Sequence, residues 1–177
     1  GPDLSPELAR IANDDMAAMV AKWPHRFPAF VASMPMNNVP AALEEMNRAI
    51  EKLGARGIQI CTNVNGRPLD EPEFFPVFDR ITNKHKLPIW MHPVRTATRA
   101  DYVNEQISKY EIWQVLGWPY ETSVAMARMV FCRSSGERRP IASTCSFVGP
   151  GPNIGPDEGP TAGRVLTSGT GSLGSMV

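Results

Sequence analysis

The chain lacks an excess of either charge, with 18 lysines and arginines against 18 aspartates and glutamates in 177 residues. No net field is available to draw in a phosphate backbone or an acidic membrane surface, so nucleic acid is not an expected partner. Long apolar runs are also missing. Stretches such as 29–36 fall far short of the roughly 20 residues a membrane helix needs, so no membrane span is expected. Cysteine is scarce: Cys61, Cys132 and Cys145 are odd in number and widely spaced, with no C-x-x-C pair, which argues against a disulfide framework and a zinc knuckle alike. A reducing cytoplasm is the expected compartment. No G-x-G-x-x-G or G-x-x-x-x-G-K follows any expected strand, so nucleotide binding has no support. The chain opens Gly-Pro-Asp without a basic and then apolar leader, and its natural start is expected upstream.

What is present is a rhythm of strands and helices. Ser5-Pro6 reads as a helix cap and first turn, and Leu8, Ile11, Ala12, Met16, Met19, Val20 and Trp23 recur at helical spacing, predicting a helix over 6–22 that Pro24 stops. The apolar run 27–34 predicts a buried strand. A helix opening after Asn38, with Leu43, Met46, Ile50 and Leu53 on one face, should close at Gly54. Residues 57–61, Gly-Ile-Gln-Ile-Cys, form a second expected strand, and 62–69 a turn-rich loop. Asp70 is placed to cap a third helix with Phe74, Phe75, Phe78 and Ile81 as its core stripe, and 88–92 is a third strand.

Three strand–helix alternations at about thirty-residue spacing argue for right-handed βαβ units around a parallel sheet, either doubly wound or closed into a barrel. A further helix is expected over 120–131, with Val124, Ala127, Met129 and Val130 as its apolar positions. From 133 to 177 glycine, proline, serine and threonine dominate. The domain is therefore expected to end at 132, with 133–177 as a disordered, irregular or out-of-frame tail.

In parallel α/β folds ligands bind beyond the carboxyl ends of strands, which directs attention to 34–38, 62–65 and 92–95. His92 ends the strand Pro88-Ile-Trp-Met-His, where a neutral imidazole is placed to bind a metal or to serve as a hydrogen-bonded structural residue. Arg95 has the fork geometry for an anionic substrate, with a salt bridge within the protein as the alternative. Asn63 can hydrogen-bond a carboxylate or phenol, although the Asn65-Gly66 turn accounts for that loop by backbone geometry alone. Trp113 and Trp118 fit an aromatic pocket, a subunit contact or ordinary packing. His25, after the helix-stopping Pro24, and His85, in Asn83-Lys-His-Lys, are expected to be solvated.

Taken together, Leu53-Gly-Ala-Arg-Gly-Ile-Gln-Ile, Asn63-Val-Asn-Gly-Arg-Pro-Leu-Asp, Pro88-Ile-Trp-Met-His-Pro and Trp118-Pro-Tyr-Glu-Thr-Ser-Val-Ala-Met-Ala-Arg resemble the amidohydrolase-related (amidohydrolase 2) family, of the aminocarboxymuconate-semialdehyde and γ-resorcylate decarboxylase type, over 1–131. The resemblance implies part of a (β/α)₈ TIM barrel holding a divalent metal, zinc or manganese, and non-oxidative decarboxylation or hydrolysis of a small carboxylic acid by a homo-oligomer. It implies His92 as a metal ligand, with Arg95, Asn63 and Trp118 as substrate contacts and no assigned catalytic acid or base. The family's other ligands are a His-x-His or Glu-x-His after the first strand, a later strand-end histidine and a late aspartate, and none of these has a match in the chain. No histidine follows His92, and Asp157 sits in Gly-Pro-Asp-Glu-Gly-Pro. The competing expectation is a catalytically inactive fragment with a binding or oligomerisation role.

Overall fold

A computed structural model describes residues 1–132 and the backbone of Cys145–Phe147. The chain runs α1 (Ser5–Lys22), β1 (Ala32–Ser33), α2 (Val39–Glu51), β2 (Ile58–Cys61), a hairpin of β3 (Asn63–Val64) and β4 (Arg67–Pro68), α3 (Phe75–Asp79), β5 (Ile89–His92), α4 (Ile112–Val115), α5 (Gly117–Phe131) and β6 (Cys145–Phe147). Strands β1, β2, β5 and β6 form a parallel sheet in that order.

Alternation along the strands decides what each face does, because successive side chains leave a strand on opposite sides. Ile58 and Ile60 of β2 and Ile89 and Met91 of β5 are buried against Ala42 and Met46 of α2, Val77 and Phe78 of α3, and Ala125 and Met129 of α5. Ala32 of β1, in register with Ile58, packs with Ala49 and, from α1, Met16, Ala17 and Val20. These helices therefore cover one face. On the other, Gln59, Cys61 and His92 are exposed and Trp90 half-exposed. A doubly wound sheet would bury both faces. Helices on one side of a parallel sheet are the arrangement of a partial (β/α)₈ barrel, whose inward face is here the open one.

Several local expectations are corrected. Leu4, not Ser5, precedes the first turn of α1, and the Ser5 hydroxyl donates instead to Asn37 Oδ1 at 2.5 Å. Leu8, Ile11, Met19 and Trp23 face solvent; the inward side of α1 carries the buried Ala9 and Asn13, with the expected Met16 and Val20 partly buried against the core beside Ala17. The expected strand over 27–34 shrinks to Ala32–Ser33; Pro28 has no N–H to give a ladder, and Phe30 packs into the core as irregular chain.

The loop 62–69 holds the β3–β4 hairpin, turned by Asn65 and Gly66 at φ 53° and 81°, the pair of positive angles an Asn-Gly turn supplies. Asp70 caps no helix; its carboxylate takes two bonds at 2.9 Å from Arg128 of α5. A 3₁₀ turn over Pro72–Phe74 leads into α3, which loosens into a π-helical stretch over Arg80–His85. Helix α5 begins three residues before its expected start and buries Thr122, Ala125 and Met129, leaving Val124, Ala127 and Val130 outward.

Asn38 does cap α2, accepting the Ala41 N–H at 3.2 Å, and Gly54 ends that segment at φ 79°. The tail expected over 133–177 lies outside the described residues except at Cys145–Phe147, where a strand extends the parallel ladder beyond β5.

A buried polar knot fixes the edge of β1. Asn13 accepts the Ser33 N–H at 2.8 Å and donates to the Ser33 carbonyl at 3.1 Å and to Glu45 at 2.7 Å. Its carboxamide thereby satisfies the edge groups another strand would otherwise take. The nearly inaccessible Glu45 is neutralised by Arg48 at 2.8 Å and Arg10 at 3.5 Å, and the hydrogen bond to Glu45 holds the Arg48 guanidinium above its ordinary pKa.

Candidate active site

Parallel pairing sets Cys61 of β2 beside His92 of β5, both ending their strands on the open face. One step back from them lie Ile60 and Met91 on the helix side, and two steps back Gln59 pairs with Trp90. The Trp90 indole lies over Gly57, where a Cβ would stand 2.4 Å from the ring and 2.7 Å from the Pro88 carbonyl. Glycine at 57 is what leaves room for the indole there.

The imidazole of His92 is fixed in two ways. Its Nδ1 lies 2.6 Å from the Pro93 carbonyl oxygen. A carbonyl only accepts, so Nδ1 carries the proton in that bond, and in the neutral ring Nε2 keeps the electron pair a metal or an acid would take. The Trp118 ring meets the imidazole edge-on, centroids 5.7 Å apart, and Trp113 meets Trp118 at 5.5 Å.

Trp118 donates its indole N–H to the Arg95 carbonyl at 2.9 Å. Glu121, one turn further along α5, accepts the N–H groups of Val94 at 3.0 Å and Arg95 at 2.7 Å, and the Asn63 amide at 3.0 Å. It thus joins the loops after β2 and β5 to one helix. Sequence reading missed it as a site residue. The available signal was a carboxylate three residues after Trp118, the spacing that puts both on the same side of a helix.

The other expected residues are engaged within the protein. Asn63 donates to Glu121 and accepts the Gly66 N–H at 2.8 Å. Arg95 pairs with Asp101 at 3.2 Å and donates to the Arg99 carbonyl at 3.3 Å. Asp101 in turn accepts the Ser108 hydroxyl at 2.5 Å, and Ser108 accepts the Trp113 N–H at 3.0 Å. The Arg95 side chain fits because residue 117 is glycine: a Cβ there would stand 2.6 Å from Arg95 Cδ. The buried Arg95 Nε has no partner among the described residues.

Of the other histidines, His25 is exposed, while His85 is half-buried with Nε2 3.0 Å from Asn47 Oδ1, and burial holds its pKa below the ordinary value. Burial pushes the Cys61 thiol above its ordinary range, and the Glu121 carboxylate adds to the shift. Beside these strand ends an open cleft of about 370 Å³ runs between α1, at Leu8 and Ala12, and the segment Met34 to Asn37, reaching Cys61 and Asn63.

A metal needs a set of donors, three or more from protein in most catalytic sites. Among the described residues no group of three His, Cys, Asp or Glu stands close enough to hold one. His92 offers one donor nitrogen, and the described residues do not by themselves fit a metal.

A parallel sheet covered by helices on one side, with strand-end polar and aromatic groups on the other, is the framework of a barrel enzyme read at the carboxyl ends of its strands. The amidohydrolase family model matches residues 2–131, and the chain belongs to that family. It is 34% identical over 125 residues to the 2-amino-3-carboxymuconate-6-semialdehyde decarboxylase of Dictyostelium discoideum, a match covering 71% of this chain and 33% of that protein. It is 37% identical over 93 residues to a gamma-resorcylate decarboxylase of a Rhizobium species, covering 49% and 28%. Among solved structures, 5-carboxyvanillate decarboxylase from Novosphingobium aromaticivorans, with bound manganese, superposes with a TM-score of 0.63 at 27% identity, covering 73% of this chain and 36% of that one. The chain spans about a third of the length of the curated relatives it matches.

Proposed function

We propose that the chain is a segment of a metal-dependent, non-oxidative decarboxylase acting on an aromatic or enol carboxylic acid, with the reaction at the open face of the sheet. In such a reaction the bond from the carboxylate to the ring or enol carbon breaks, carbon dioxide leaves, and that carbon takes a proton. The observation that carries the reading is His92, which ends β5 on the uncovered face with Nδ1 committed to Pro93 and the Trp118 ring at its edge. His92 is one donor toward a divalent metal, manganese or zinc, whose remaining donors lie outside the described residues. Trp118 supplies a wall for a flat substrate. Arg95 and Asn63 are the candidate carboxylate or phenol contacts, and each reaches a substrate by giving up an internal partner, Asp101 or Glu121.

A cytoplasmic enzyme is in keeping with few and scattered cysteines, and no helix among the described residues is long and apolar enough to cross a membrane. The enzyme is read as a homo-oligomer, supported by the outward Leu116, Tyr120 and Val124 along α5 and its start. Hydrolysis of a related substrate is the nearest alternative chemistry.

A second reading follows from the lack of a three-donor group among the described residues: the 177-residue chain is catalytically silent and serves at most in binding or oligomerisation. Carbon dioxide release from hydroxylated benzoates and enol carboxylic acids, measured with manganese or zinc for the wild type and His92→Ala, separates the two. Release that disappears in the variant supports the decarboxylase; no release with either metal supports the silent chain.

A further inference from the structure

One helix grips the segment after β5 from both sides. Glu121 takes the N–H groups of Val94 and Arg95 at 3.0 and 2.7 Å, and Trp118 gives its indole N–H to the Arg95 carbonyl at 2.9 Å. Hydrogen bonds to a carboxylate are roughly twice as strong as neutral ones, so the grip is firm. Tying loops together would make Glu121 merely structural. Its consequence for the imidazole lies in which peptide it holds.

The Val94 N–H and the Pro93 carbonyl are opposite edges of one planar unit, trans like every described peptide bond. A carboxylate that fixes the N–H edge fixes the direction of the carbonyl edge, and that carbonyl oxygen is the atom 2.6 Å from His92 Nδ1. Accepting from the N–H also polarises the peptide, making its oxygen a better acceptor, as in other chained hydrogen bonds.

We infer that Glu121 is a positioning residue for His92, acting through the Pro93–Val94 peptide: it holds the proton on Nδ1 and so keeps the electron pair on Nε2. Metal-binding histidines commonly donate directly to a carboxylate or carbonyl; here the carboxylate stands one peptide behind the carbonyl. The use of a fixed Nε2 electron pair rests on the function proposed above, whereas the relay itself rests on geometry.

Nitrogen-15 spectra of the full chain, without metal or substrate and at a pH where the imidazole is neutral, report the His92 tautomer ratio, with His92→Gln assigning the signals. The Nδ1–H form is expected to dominate in the wild type. Glu121→Gln keeps the shape, but its carboxamide cannot accept from Asn63 and from the Val94 N–H together, and the ratio is expected to fall about tenfold, the effect of losing roughly one well-placed hydrogen bond. Adding Asn63→Asp to that variant gives the new carboxamide an acceptor while preserving the bond from Gly66, and should restore the ratio. Glu121→Asp, one methylene shorter, gives the same direction of change where the glutamine variant does not fold.

An unchanged ratio in a folded Glu121 variant, or a shift that Asn63→Asp does not reverse, overturns the relay. A chain with the relay intact and no decarboxylation overturns the functional reading alone. Decarboxylation with a ratio indifferent to Glu121 overturns the relay alone.

Discussion

The two faces of the sheet are built from the same few strand residues and do opposite work. Ile58, Ile60, Ile89 and Met91 are sealed beneath helices, while the residues between them and at the strand ends, Gln59, Cys61, Trp90 and His92, look onto the open side. A shift of one residue in register would exchange the two sets. Stability is thus concentrated on the helix side, and the open side is free to carry groups a core would reject.

Substitutions test that division, beginning with the largest effect. Phe78→Ala, at a fully buried position of the helix-side cluster, should cost about 3–5 kcal/mol in equilibrium unfolding. A loss below about 1 kcal/mol would mean the cluster relaxes freely and is not the stabilising core. Gly57→Ala probes a tightly packed position beside the open-face Trp90. Its new Cβ meets the Trp90 ring at 2.4 Å and the Pro88 backbone at 2.7 Å, and a cost of about 1–3 kcal/mol is expected, with a change in Trp90 fluorescence marking the displaced indole.

His92→Ala should leave the unfolding free energy within about 0.5 kcal/mol of wild type, as for other exposed positions.

The smallest effect concerns Cys61. Burial, then Glu121, raises its pKa, so less of it is thiolate near pH 8 than in the unfolded chain, and alkylation by iodoacetamide should be slower in the native protein. The folded state holds this proton more tightly, so the cysteine's contribution to stability falls as pH rises through the unfolded thiol's pKa. Equal native and unfolded labelling rates would remove the claim that the Cys61 thiol is partly desolvated within an otherwise exposed residue.

Much of this division is legible in the sequence because it rests on periodicity. The alternation in Gly-Ile-Gln-Ile-Cys and Pro-Ile-Trp-Met-His places two strands, and Asn38 and Gly54 mark the ends of the segment holding α2. Failures occur where tertiary contacts outweigh local pattern. Leu8, Ile11 and Met19 share a helical rhythm, yet α1 turns Ala9 and Asn13 inward, because Asn13 serves the open edge of β1. Asp70 stands where a cap would, and is drawn away by Arg128, 58 residues on.

The site is legible in part for the same reason. His92 is visible because a strand end is a local feature. Glu121 is not, because its three partners come from two loops distant in sequence and only folding brings them together.

If His92 belongs to chemistry and not to packing, one paired measurement on wild type and His92→Ala shows it most directly: denaturant unfolding together with titration of manganese or zinc. The expected result is unfolding curves that superimpose within about 0.5 kcal/mol and a metal affinity at least about tenfold weaker in the variant, the lower end of losses expected when a site's ligand shell is disturbed. An unfolding free energy lowered by several kcal/mol with metal affinity unchanged would contradict it.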